Sequence, residues 1–179
     1  RSFVSPWIAA ADWRGETGPT GFSRGPINYP AAIREAYVRN PVAQRAVRLV
    51  GEGIGGAPIR ASDPALLALA SETSAGQPLL ETLAAHLMLH GNGFVQVLRD
   101  AEDLPVELFA LRPERVTVIP DATGWPAAFA YKVGEKTMRI EALDDFGRPN
   151  LIHVKHFHPV DDHYGAGCLE AAEEAVAIH

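Results

Sequence analysis

The stretch Pro78-Leu79-Leu80-Glu81-Thr82-Leu83-Ala84-Ala85-His86-Leu87-Met88-Leu89-His90-Gly91-Asn92-Gly93-Phe94-Val95-Gln96-Val97-Leu98-Arg99 decides the fold, because the hydrophobic period changes inside it. From Pro78 to His90 the chain reads as a helix that is apolar on most sides, through Leu79, Leu80, Leu83, Leu87, Met88 and Leu89. A helix of that kind is buried against a sheet or another subunit. Gly91 stops it. From Phe94 to Arg99 the period falls from 3.6 to 2, the alternation of a strand. Gly91-Asn92-Gly93 is therefore a helix-to-strand turn, made of residues that tolerate positive φ.

Downstream, Val106–Leu111, Val116–Ile119, Ala127–Val133, Thr137–Glu141 and Leu151–His156 read as further strands separated by turn residues. Their short links favour an antiparallel meander. Upstream, a helix is expected from near Pro30 to Tyr37. Asn40-Pro41 then reads as an N-cap followed by proline at the first helical position. The helix it opens places Val42, Ala46, Leu49 and Val50 inward and Gln44, Arg45, Arg48 and Glu52 outward, and ends at Gly53, Gly55 and Gly56. Ala57–Ala61 is a short strand candidate, and Asp63-Pro64 caps a short helix over Ala65–Ala70.

Residues 1–28 are rich in Gly, Ser, Pro and Thr and lack apolar periodicity. They read either as a poorly ordered lead-in or, given bulky Phe3, Trp7, Ile8, Trp13 and Phe22, as an arm packed on a neighbouring copy. Cys168–His179 reads as helix with no Gly, Asn or Pro as a stop signal, so a longer parent protein is expected. The expected class is α+β: N-terminal helices, an apolar helix packed on a mostly antiparallel sheet, and a C-terminal helix. The expected division is an arm over 1–28, an α+β domain over 29–167 and a helix leading out of it over 168–179.

A length of 179 residues, 47% hydrophobic and 21% charged, suits one ordinary globular domain. No apolar run approaches the roughly 18 residues that span a bilayer, so no membrane partner is expected. The first residues lack a signal-peptide pattern, and the single Cys168 excludes an intrachain disulfide, so synthesis in the cytosol is the default. The net charge of −6 is unevenly spread: residues 1–60 hold eight Arg against four acids, and residues 61–179 hold eight Lys and Arg against eighteen acids. The acidic majority argues against nucleic-acid binding by the whole surface. The asymmetry suits contact between neighbouring copies.

Four of the seven histidines fall in His153-Val154-Lys155-His156-Phe157-His158-Pro159-Val160-Asp161-Asp162-His163. His nitrogen and carboxylate oxygen are zinc ligands, and His156 and His158 share one face of a strand, so a metal-dependent hydrolase built on His153, His156, His158, Asp162 and neighbouring Asp161 and His163 is one reading. Pro159 breaks the element, however, and no second cluster completes the site. The favoured reading is a strand edge and turn in which the aspartates hydrogen-bond loop amides or cap the last helix.

His86 and His90 have the i, i+4 spacing of a zinc helix, but Leu87-Met88-Leu89 between them supplies no general base, and they read as packed-edge histidines. Gly51–Gly56 follows a helix rather than a strand, so it is no dinucleotide fingerprint. No phosphate-binding G-x-x-x-x-G-K-[ST] and no G-x-S-x-G occur. Cys168 opens a helix whose dipole could activate a thiol, but no base stands beside it in sequence. Arg34, Arg39, Arg45 and Arg48 form either a phosphate-facing patch or, more simply, a salt-bridging face. No catalytic residue, metal ligand or cofactor site is assigned from these residues.

Several segments nevertheless resemble the N-terminal part of HK97-family phage portal proteins. They are Arg39-Asn40-Pro41-Val42-Ala43-Gln44-Arg45-Ala46-Val47-Arg48 through Gly55-Gly56-Ala57-Pro58-Ile59, then Leu87-Met88-Leu89-His90-Gly91-Asn92-Gly93-Phe94-Val95. Leu108-Phe109-Ala110-Leu111-Arg112-Pro113-Glu114-Arg115-Val116 follows, and then Ile152-His153-Val154-Lys155-His156-Phe157-His158-Pro159 with Tyr164-Gly165-Ala166-Gly167-Cys168-Leu169-Glu170-Ala171-Ala172. The motifs run in the family's order over roughly residues 37 to 179. The likeness is strongest to portals of gene transfer agents, the phage-like particles of alphaproteobacteria.

The resemblance implies the outer wing of a non-enzymatic ring, usually a dodecamer, at one capsid vertex, with the C-terminal helix leading toward the stem. Its implied partners are other copies, the major capsid protein, a head–tail adaptor, the terminase and double-stranded DNA, the last contacted mostly by regions beyond this chain. It would be assembled in the bacterial cytoplasm and carry no cofactor.

Overall fold

The computed structural model describes residues 37–71, 73–74 and 76–168. Helices α1 (Pro41–Gly55), α2 (Pro64–Ser71) and α3 (Leu79–His90) come first, with a two-stranded ribbon of β1 (Thr73–Ser74) and β2 (Gln77–Pro78) just ahead of α3. The strands β3 (Asn92–Arg99), β4 (Pro105–Leu111), β5 (Val116–Pro120), β6 (Pro126–Val133), β7 (Lys136–Glu141) and β8 (Leu151–Lys155) follow. All pairings between them are antiparallel, and the α+β class holds.

The single sheet expected divides into two three-stranded sheets, β4-β3-β8 and β5-β6-β7. The second is the expected meander. In the first, β8 returns to the open edge of β3, with Asn92 opposite Lys155 and Gln96 opposite Leu151. The core forms where the sheets meet: Phe94, Leu111 and Leu151 from one, Val116, Val118, Phe129 and Ile140 from the other. Phe94 and Phe129 meet edge to face at 5.9 Å, an arrangement aromatic pairs favour.

Asn40 caps α1 as its sequence suggests, its Oδ1 accepting the amides of Val42 and Ala43 at 3.0 Å each. Asp63 likewise accepts the Ala65 amide at 2.8 Å and opens α2. Two expectations fail here. Ala57–Ala61 is exposed and irregular rather than a strand. The inward face of α1 is Ala43, Val47 and Gly51, packed toward α3, while Val42, Ala46, Leu49 and Val50 are exposed. The reason is geometric. At about 100° per residue the apolar arc of α1, from Leu49 round to Gly51, covers roughly 200°, twice what one neighbouring helix can cover. The half with the smaller residues wins, because a Cβ on Gly55 would already sit 3.1 Å from the Cβ of Glu81. α1 runs through Gly53 to Gly55 and closes at Gly56, whose amide bonds the Glu52 carbonyl at 2.9 Å.

Three turns share one construction. Asp100, Asp121 and Asp144 each accept, through Oδ1, the amides two and four residues on: Glu102 and Leu104, Thr123 and Trp125, Phe146 and Arg148. The residue three places on has positive φ in each, Asp103 at 65°, Gly124 at 91° and Gly147 at 77°. Arg148 bonds both Asp144 and Asp103, which joins the β3–β4 turn to the β7–β8 turn.

The arm over 1–28 and the helix expected near Pro30 lie outside the described residues, apart from Tyr37 at that helix's end. Of the C-terminal helix only Cys168 lies within them.

Candidate functional site

The histidine-rich segment and the α3–β3 join, far apart in sequence, meet in space. α3 ends on Gly91 in the left-handed conformation, φ 66°, with its amide on the Leu87 carbonyl at 2.9 Å. The backbone then passes directly against Gly165-Ala166-Gly167. A Cβ on Gly91 would fall inside the backbone of Ala166, one on Gly165 would lie 2.7 Å from the His156 nitrogen, and one on Gly167 would lie 2.5 Å from the Leu89 oxygen. Only hydrogen fits at these contacts. The His156 amide closes the join on the Gly91 carbonyl at 2.8 Å.

Asn92 sits at the centre, 6% exposed. Its Nδ2 donates to the carbonyls of His90 at 2.7 Å and Gly165 at 3.1 Å. Its Oδ1 accepts the Gly165 amide at 2.8 Å and faces Nε2 of His153 at 3.0 Å. Two donors and two acceptor positions are all that a primary amide has, and all four are used. His153 stacks on Phe94 with ring centres 4.1 Å apart. Burial, aided by nearby Lys155 and His163, lowers its pKa to about 4, so the ring is neutral at pH 7.

The other residues of the segment build turns. Nδ1 of His158 accepts the amides of Val160 at 3.2 Å and Asp161 at 2.9 Å. Oδ1 of Asp161 accepts the amides of His163 at 2.7 Å and Tyr164 at 2.9 Å, so this aspartate does bond loop amides. Lys155 reaches the carbonyl of Asp162. Tyr164 then crosses to the second sheet, where its hydroxyl accepts the Val118 amide at 2.9 Å. The segment is thus a strap that fastens β8 and the α3–β3 join to β5. His153, His158 and Asp161 do not converge, and among the described residues no group of three or more His, Cys, Asp and Glu is placed to hold one metal ion.

His86 and His90 face each other edge-on at 5.9 Å on α3. Burial lowers the pKa of both, against the opposing pull of Glu114. Cys168 is exposed. Arg45 and Arg48 share Glu52, at 3.3 and 3.6 Å, which makes their face salt-bridged; Arg34 lies outside the described residues. An open groove of about 220 Å³ between α1, α2 and α3 is lined by residues such as Ile59, Leu67, Ala70, Leu79 and Leu80, with no ionisable side chain in its wall. Sequence reasoning missed Asn92 as the hub. The available signal was a polar residue set between two glycines at the foot of an apolar helix.

Residues 41–179 match the family model described as phage portal protein. Proteins of Rickettsia felis and Rickettsia bellii are each 27% identical to the chain, over 159 and 161 residues, covering 81% of it. The chain spans about 40% of the length of these relatives. Among solved structures, a chain of the native gene transfer agent virion is 34% identical with a TM-score of 0.76, matched over 87% of this chain and 42% of its own length. The same values describe a chain in the neck of the native particle computed with C12 symmetry. An HK97-family portal protein from Corynebacterium diphtheriae, 15% identical with a TM-score of 0.53 over 83% of this chain and 44% of its own, shares the fold.

Proposed function

The chain belongs to the phage portal protein family, and on that premise we propose that it is the wing part of a portal, a structural subunit of a twelve-membered ring at one capsid vertex of a phage-like particle. The observation that carries this reading is the 34% identity, over 87% of the chain, to a protein in the neck of a gene transfer agent particle treated with C12 symmetry. In this role residues 29–167 form the wing body, and residues 168–179 lead toward the stem. Neighbouring copies, the major capsid protein, a head–tail adaptor and the terminase dock on the ring, and double-stranded DNA passes through it during packaging and ejection. The subunit performs no catalysis; the terminase hydrolyses ATP. Assembly takes place in the bacterial cytoplasm, and the product resides in the particle.

The physical character of the site agrees with a mechanical part. Its polar groups are spent on fastening backbone to backbone, as Asn92 and Tyr164 are. Electron microscopy of the full-length protein tests the reading: closed rings with a central channel are expected, and a protein that stays monomeric in all conditions overturns it.

A further inference from the structure

Two surfaces of the chain are apolar, open and opposite in charge, and we propose that they are each other's partners: the free face of α1 on one copy seats on the three-turn end of the next. The inference rests on the ring reading and adds which surfaces close the ring.

The α1 face is the uncovered half of its apolar arc. Val42 is 68% exposed, Leu49 58% and Val50 38%. Along the Leu49 side run Arg45 and Arg48, two guanidiniums sharing the one carboxylate of Glu52, which leaves that rim positive. An apolar patch with a polar rim is the form of a protein-binding surface.

The second surface is assembled by the three aspartate turns. Arg148 ties the β3–β4 turn to the β7–β8 turn, and Arg99 adds a bond to the Pro149 carbonyl at 3.3 Å. The β5–β6 turn joins them because the Ala142 amide bonds the Ala127 carbonyl at 2.9 Å, which places the start of β6 beside the exit of β7. The turns raise Leu104, Trp125 and Phe146 into solvent, 61%, 74% and 80% exposed. Over residues 99–104, 121–125 and 144–148, six acids stand against two arginines.

Charge and symmetry select the pairing. Either surface set against its own copy would face like charges, which is unfavourable, whereas set against each other their rims attract. A cyclic ring also requires a heterologous contact, two different patches of one chain that fit each other. The α1 face and the three-turn end, both among the described residues, are such a pair, apolar at the centre and complementary at the edge.

Cysteine cross-linking in the full-length protein tests this. In a background with every native cysteine, Cys168 included, replaced by serine, Leu49→Cys combined with Phe146→Cys should, after oxidation of assembled rings, give a ladder of covalent multimers. Each single-cysteine variant should give none. The pairs Leu49→Cys with Trp125→Cys and Val42→Cys with Leu104→Cys probe the same contact independently, so one misfolding pair does not leave it open. Rings that form normally but yield no ladder with any pair overturn the inference and leave the ring reading intact. Dimers from Leu49→Cys alone overturn it in favour of a self-paired α1 face. Absence of rings in the unaltered protein overturns the ring reading, and this inference with it.

Discussion

Nε2 of His153 lies 3.0 Å from Oδ1 of Asn92, and the contact fixes both the tautomer of the ring and the orientation of the amide. The amide nitrogen already donates to the carbonyls of His90 and Gly165, so the oxygen is the group left to face the imidazole. An amide oxygen only accepts, so the proton of the neutral ring resides on Nε2. One side chain thereby holds the end of α3, the edge pairing of β3 with β8, and the loop that leads to Cys168.

Replacing Asn92 should test how much of the join depends on it. Asn92→Ala leaves the Gly165 amide and two carbonyls without their partner in a buried place, a loss of about 3 kcal/mol in urea unfolding. Asn92→Asp keeps the shape but sets a carboxylate oxygen against the His90 and Gly165 carbonyls. It should destabilise by a similar amount and raise the pKa of His153, because a new anion favours the charged ring. An unchanged His153 titration by NMR would contradict this account of the contact.

Acid should loosen the same join. The folded-state pKa of His153 is lowered from 6.5 to about 4, so between these values the unfolded chain binds the extra proton. The stability is fully present above pH 6.5 and is lost as pH falls toward 4. The whole difference in pKa corresponds to about 3 kcal/mol, and solvent screening of the half-buried ring reduces that to about 2 kcal/mol. His86 and His90 shift in the same direction, so the measurement is the difference between the wild type and His153→Gln. Its unfolding curves should converge with those of the wild type as pH drops from 6.5 to 4, and a constant gap would show that the pKa of His153 is not lowered in the fold.

Much of this was legible locally. The Asn40 and Asp63 caps, the end of α3 at Gly91 and the six longer strands follow from turn chemistry and from period, which neighbours along the chain determine. What was not legible depended on partners. Leu49 and Val47 are equally apolar, and only the position of α3 against Gly51 and Gly55 decides which is covered. His153 and Asp161 have the chemistry of ligands, and only the arrival of Asn92, 61 residues away from His153, and of the strap's own amides turns them into fasteners. Three similar aspartate turns were present in sequence as Asp100–Leu104, Asp121–Trp125 and Asp144–Arg148, yet their gathering at one end required the fold.

Glycine substitutions separate close approach from turn conformation. Gly91→Ala adds a methyl where the Ala166 backbone stands and also forces an L-residue to φ 66°. Gly124→Ala adds only the second cost, since its Cβ position is open at φ 91°. The expected losses are about 3 kcal/mol or more for Gly91→Ala and about 1 kcal/mol for Gly124→Ala. Thermal or urea unfolding checks the ranking, and equal losses would mean that the Gly165–Gly167 approach is not tight in solution.

Asp103 is the one described non-glycine residue with positive φ, at the position its two sister turns give to Gly124 and Gly147. It also reaches Arg148 across the turn-to-turn junction. These roles oppose each other. Asp103→Ala removes the ion pairs to Arg148 and Arg99 and keeps the backbone strain, whereas Asp103→Gly removes the pairs and the strain alike. The glycine variant should therefore be more stable than the alanine variant by about 1 kcal/mol. Against the wild type, Asp103→Gly should be close to neutral, because exposed ion pairs stabilise little. If Asp103→Gly instead lowers the melting temperature as much as Asp103→Ala, the ion pairs dominate, and the acid is there to hold two turns together at the expense of the backbone. That result would itself favour a rigid three-turn surface, since a turn needing only its own conformation would be best served by glycine.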